Sequence, residues 1–140
     1  MRFWFGRVRR MRTSDYATAL ETVALAICVE IQLRFMPFSR LLERLTCSPH
    51  TTGSIGEYQR LYRYVAVAYD VLPFPATCLR RSVVLYGLLE RRRVPSRVCF
   101  GVAKSGIAID AHAWAECDGI ARDSGSFRFN ALAPPAEELA

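Results

Sequence analysis

The spacing of apolar positions changes halfway along the chain. In the first half they recur every three to four residues, the period of helices. Ser14 or Asp15 can cap a long helix running to about Phe35, and Pro37 stops it. Its apolar residues extend almost all the way round the wheel, which predicts a buried helix. A shorter helix, "FSRLLERLT", follows. The loop "CSPHTTGSIG" is the clearest punctuation in the chain, and a third helix, "EYQRLYRYVAVAYDVL", ends at Pro73. "PFPATCLRRSVVLYGLLERRR" then reads as a lead-in turn and a helix from about Ala76 to Arg92. Thr77 is its expected N-cap, which puts Cys78 at the first helical position.

Beyond this helix the period becomes two. "SRVCFGVA", a Lys-Ser-Gly turn, "IAIDAHAWAEC", an Asp-Gly turn and "IARDSGSFRF" read as successive strands. Asp-Gly between alternating runs is the strongest short-range hairpin signal. Helices first and an antiparallel sheet after them make an α+β fold. Residues 1–14 read as a basic arm, and 15–140 as one domain, with a helical lead-in over 15–72 and its core over 73–135. No internal repeat is visible, and 140 residues suffice for one core.

Composition narrows the classes. Half the residues are apolar, which excludes disorder and low complexity. The net charge is +6, and 5 of the arginines (Arg2, Arg7, Arg9, Arg10, Arg12) fall in the arm. Such an arm can meet nucleic acid, anionic lipid or an acidic peptide, and is equally a solvated terminus. Basic-aromatic interleaving elsewhere is too thin for a nucleic-acid module. Glu21 and Glu30 interrupt the apolar first helix, so it is expected neither to span a bilayer nor to serve as a signal peptide. Cys28, Cys47, Cys78, Cys99 and Cys117 are odd in number and scattered, the usage of a reducing, cytoplasmic compartment. Cys47 and His50 have ligand-like spacing but no second pair, so neither a metal site nor another cofactor is expected.

Cys78 is the candidate nucleophile. Backbone N–H groups and the positive end of the helix dipole converge on a helix N-terminus and favour anionic sulfur there. Arg80 and Arg81 add positive charge in the first turn. A thiolate so placed suits attack on a carbonyl, and the Cys78 N–H can steady the resulting oxyanion. Position alone also fits a structural cysteine.

On the strand "IAIDAHAWAEC", Ile107, Ile109, Ala111, Ala113, Ala115 and Cys117 share a face that reads as core. Ala108, Asp110, His112, Trp114 and Glu116 share the other. If Asp118-Gly119 is a two-residue turn, Cys117 pairs with Ile120 and Trp114 with Asp123. Asp123 is then a diagonal neighbour of His112 on one face, about 7–8 Å away between backbones. Asp118 lies about 20 Å along the strand and is out of reach. The order of candidates for orienting His112 is Asp123, then Asp110, then no acid. A Cys at a helix start, a His on a later strand and an Asp on the next make a nucleophile, a base and an orienting acid.

"PATCLRRSVVLYGLLERRRVPSRVCFGV", "AHAWAECDG" and the N-terminal "LRFMPFSRLL" resemble the leader peptidase of lasso-peptide biosynthesis, a transglutaminase-like cysteine protease. The resemblance covers residues 15 to 135. It implies a transglutaminase-like, broadly papain-like fold and cleavage of a ribosomal precursor peptide at its leader–core junction. A separate ATP-dependent cyclase would then use the freed core amine to close a macrolactam. Cys78 matches the nucleophile and His112 the base. The acid usually follows that histidine by twelve residues, where this chain has Ser124, with Asp123 one residue early. Residues 1–46 leave no room for the leader-binding domain fused in some relatives, so a separate small recognition protein is expected to deliver the leader. The same three residues also suit amidase or acyl-transfer chemistry, and an idle peptide-binding scaffold is the reading from another class.

Overall fold

The structure, a computed structural model, describes residues 13–47, 54–117, 120–121 and 129–131. Helices α1 (Thr13–Phe35), α2 (Phe38–Leu45), α3 (Ile55–Val71) and α4 (Cys78–Arg91) come first. Strands β1 (Ser96–Ser105), β2 (Ala108–Cys117), β3 (Ile120–Ala121) and β4 (Asn130–Ala131) follow. The strands form one antiparallel sheet in the order β3-β2-β1-β4. The α+β architecture is the one the change of period predicts.

Helix α4 is the central element. Val83, Val84, Leu88 and Leu89 are fully buried, and they pack with Leu25 and Val29 of α1, Leu41 of α2, Leu61 and Val65 of α3, and Ala115 and Cys117 of β2. Burying each such aliphatic side chain contributes roughly 1.5–3 kcal/mol. Both ends of α4 are fixed. At its start the Thr77 hydroxyl accepts from the Arg80 N–H. At its end the Val94 N–H reaches back to the Leu89 carbonyl at 3.0 Å and the Arg93 N–H to the Glu90 carbonyl at 2.8 Å. This is a Schellman motif, and Arg93 occupies its left-handed position with φ 57°. Val94 and Leu89, both buried, supply the apolar contact that accompanies the motif.

Helix α1 is buried on one side only, contrary to its all-round apolar pattern. Leu25, Ala26 and Val29 face the core, whereas Leu20 (72% exposed), Ile31 (53%) and Phe35 (83%) stand in solvent. The other helices pack against α1 from one side, and the wheel pattern carries no mark of which side that is. Its acids settle the rotation. Asp15 pairs with Arg60 at 3.1 Å, Glu21 with Arg92 at 2.6 Å, and Glu30 takes two hydrogen bonds from Arg80 at 2.7 and 3.1 Å. Glu30 is only 4% exposed, so removing one partner of that last pair costs about 3–5 kcal/mol. By length and composition alone α1 would suffice to cross a membrane, and 33% of its most apolar window is buried inside the domain.

Helix α3 begins at Ile55 because Ser54 caps it, accepting from the Glu57 N–H at 3.2 Å. The preceding loop, with His50, lies outside the described residues. In the sheet, Ser105 pairs with Ala108, so the turn between β1 and β2 is the dipeptide Gly106-Ile107. Gly106, with φ 62°, takes the left-handed first position that such a two-residue hairpin requires. The core face expected for Ile107 and Ile109 is not formed there; they are 105% and 76% exposed. The hairpin outruns the helices, and only Ala113, Ala115 and Cys117 of that face reach the core. The expected pairing of Cys117 with Ile120 is present, followed by Glu116 with Ala121. Strand β4, which no alternation announces, pairs with the far edge of β1 through Gly101↔Ala131 and Val102↔Asn130.

Candidate active site

Ala76, Cys78 and β2 converge on one cavity. It has a volume of about 250 Å³. Cys78, Arg81 and Ser82 line it from α4, Tyr58 and Tyr62 from α3, and His112 to Ala115 from β2. Cys78 occupies the first position of α4, partly exposed, with its helix end capped. His112, on β2, contributes to the same wall. Helix and strand therefore bring together a thiol and an imidazole that lie 34 positions apart in sequence.

Two hydroxyls hold the strand against the helices. A two-residue hairpin makes Ser105↔Ala108 a hydrogen-bonded pair, so Ala113 and Ala115 turn their carbonyls away from β1. Ser82, one turn after Cys78 and buried, lies 2.9 Å from the Ala113 carbonyl and 2.7 Å from that of Cys78. Its single proton is shared between the two carbonyls, linking the first turn of α4 to the residue after His112. Tyr58 donates to the Ala115 carbonyl at 2.7 Å and stacks on Tyr62. Sequence reading singled out neither residue. The i, i+4 spacing of Cys78 and Ser82 was the one available signal for the serine.

The imidazole is held by aromatic rings. His112 stacks with Trp114 at 6.0 Å and with Phe129 at 5.0 Å between centroids. Trp114 is buried, and its indole N–H points to Glu116 Oε2 at 3.4 Å. Arg97 binds the other Glu116 oxygen at 2.7 Å. Burial pushes the Glu116 carboxyl up, but the hydrogen bonds from Arg97 and Trp114 and the Arg97 charge outweigh it. The group lies below its ordinary range. Glu116 is therefore a brace for the tryptophan rather than an acid for the histidine.

The first-turn arginines differ from their expected shared role. Arg80 turns to α1, where Glu30 neutralises it. Arg81 remains at the cavity. Nearby, burial pushes the Tyr69 hydroxyl up to about 12, with Glu30 adding to the effect and Arg80 and Arg81 opposing it. It stays neutral and gives Arg81 no counter-charge. Asp110 is exposed and is not part of the cavity wall. Asp123 lies outside the described residues. Among the described residues no cluster of His, Cys, Asp and Glu is arranged to hold a metal ion.

A thiol at a helix start and a histidine on the adjoining sheet, lining one cavity, suit acyl chemistry through sulfur. No curated protein and no solved structure matches the chain. The family description "Transglutaminase-like superfamily" matches residues 8–132, nearly the full length. With helices, sheet and cavity in this arrangement, the chain belongs to the transglutaminase-like superfamily.

Proposed function

We propose that the protein is a cysteine endopeptidase that removes the leader from a ribosomally made lasso precursor peptide. The observation that carries the reading is that Cys78 and His112 line the same cavity. The superfamily includes cysteine proteases and acyltransferases, so the chemistry lies within its range. The motifs around both residues resemble those of the leader peptidases.

In this reading His112 takes the Cys78 proton as sulfur attacks the scissile carbonyl. The Cys78 N–H, at the open end of α4, faces the developing oxyanion. Collapse of the adduct breaks the C–N bond, and His112 returns the proton to the departing core amine. Water, deprotonated by His112, then cleaves the thioester and releases the leader. Asp123 orients the imidazole. A separate small recognition protein delivers the leader, and an ATP-dependent cyclase uses the free amine, all in the cytoplasm.

The test is mass spectrometry of a precursor peptide co-expressed with this chain, its recognition protein and the cyclase. Cleavage at the leader–core junction is expected, with none in Cys78→Ala although the complex still forms. Cleavage that survives Cys78→Ala shows that Cys78 is not the nucleophile. A product carrying an added amine in place of water would show acyl transfer instead.

A further inference from the structure

Arg81 lines the cavity together with Cys78. It lies one helical turn after Cys78, so both side chains leave the same face of α4, with about 5–6 Å between their Cβ atoms. Its Nε is buried and has no hydrogen-bond partner among the described residues. The Asp70 carboxylate stands 4.0 Å away on a side chain that is 69% exposed, a water-screened contact of little strength. Arg60, Arg80 and Arg92, by contrast, hold carboxylates at 3.1, 2.7 and 2.6 Å. Among the described residues no carboxylate lines the cavity to compete for the guanidinium. A buried donor left unmade beside an open cavity calls for a partner, and a guanidinium matches a planar oxyanion best.

We propose that Arg81 forms a carboxylate-binding subsite adjoining Cys78. Combined with the peptidase reading, on which this part rests, its occupant is an Asp or Glu side chain flanking the scissile bond. The subsite itself can be measured without any peptide.

Iodoacetate and iodoacetamide are close in shape and differ by one negative charge. With either probe the Cys78 sulfur displaces iodide: a C–S bond forms, the C–I bond breaks, and the thiol proton passes to His112 or water. Peptide mass mapping of the full-length protein separates Cys78 from the exposed Cys28 and Cys47. In Arg81→Gln the iodoacetate rate at Cys78 is expected to fall about tenfold, the size of one charge-assisted contact. The iodoacetamide rate should fall less, because the lost charge acts on the thiolate in both reactions but on the anionic probe in only one, and Arg81→Lys should retain part of the preference for the anion. An unchanged ratio of the two rates in folded Arg81→Gln overturns the subsite.

A second measurement needs no variant. N-acetyl-aspartyl amide should protect Cys78 of the wild-type protein from iodoacetamide, and N-acetyl-asparaginyl amide should not. Equal protection by both overturns the proposal. Absence of precursor cleavage by the wild-type protein would instead remove the peptidase reading, and the two measurements above would still decide the subsite.

Discussion

Gly101 lies directly across the β1–β2 ladder from His112, and aromatic rings fill the space where a side chain would stand. A Cβ built there would come within 2.8 Å of both the Phe129 Cβ and the Trp114 ring. The same two rings stack with the imidazole. Gly101→Ala must therefore displace at least one of them. Overpacking of this kind costs about 1–3 kcal/mol. Precursor turnover is expected to fall about tenfold or more, because a small shift of a catalytic group is costly. Urea unfolding gives the first number and a cleavage time course the second. A variant as active as wild type would separate the rings from the positioning of His112.

The orienting acid is open to a direct contrast. Asp110 is exposed and away from the cavity wall, whereas Asp123, outside the described residues, is the acid the hairpin pattern of the sequence assigns to His112. Asp123→Asn is expected to lower turnover by about 10²–10⁴-fold, in the range of a lost triad acid, and Asp110→Asn by less than about threefold. Turnover of both variants should be compared at matched stability. The reverse ranking would assign the role to Asp110.

Ser82→Ala removes the hydroxyl that joins the carbonyls of Cys78 and Ala113. The loss leaves a buried strand carbonyl without that donor, at a cost of about 1–2 kcal/mol. It also frees the residue next to His112 from α4. A fall in kcat with KM little changed is expected. The opposite split would make Ser82 a residue of the binding wall alone.

The Glu116 carboxyl lies below its ordinary value in the folded protein, so its sign can be worked out. Its contribution is complete above the unfolded value, near 4.5, and is lost as pH falls through the lower folded value. Because Arg97 is mostly exposed, the pair with Glu116 is worth only about 1 kcal/mol. Wild type should exceed Glu116→Gln in stability by that amount at neutral pH, and the two should converge below pH 4.5. In a Trp4→Phe background Trp114 is the one remaining tryptophan, and its fluorescence reports the transition. A difference that persists undiminished in acid would remove the ionised carboxyl from the account.

Local signals were legible in the sequence, and partnerships between distant segments were not. Thr77 as a cap and Cys78 as the first helical residue depend on neighbouring positions, and the pattern reveals them. The Asp-Gly hairpin likewise predicts the Cys117↔Ile120 pair. Alternation assigns Ile107 and Ile109 to a face but says nothing of where the helices beneath that face end. Arg80 looks like charge for Cys78 until Glu30, fifty positions earlier, is seen to hold it. Phe129 belongs to a part of the chain whose pairing crosses to the far edge of the sheet, and β4 is too short to show a period. The cavity needs all of these at once.

The two clamped ends of α4 make it a ruler. Between the Thr77 cap and the Schellman turn at Arg93 it holds 14 residues, and Glu30 and Ser82 fasten it along its length. Adding or removing one residue would swing one end by about 100° and shift it about 1.5 Å. The sulfur would then leave the cavity, or the core leucines would leave their sockets. The length of α4 is thus a counted quantity, and the placing of the thiol in the same cavity as the imidazole is kept by that count.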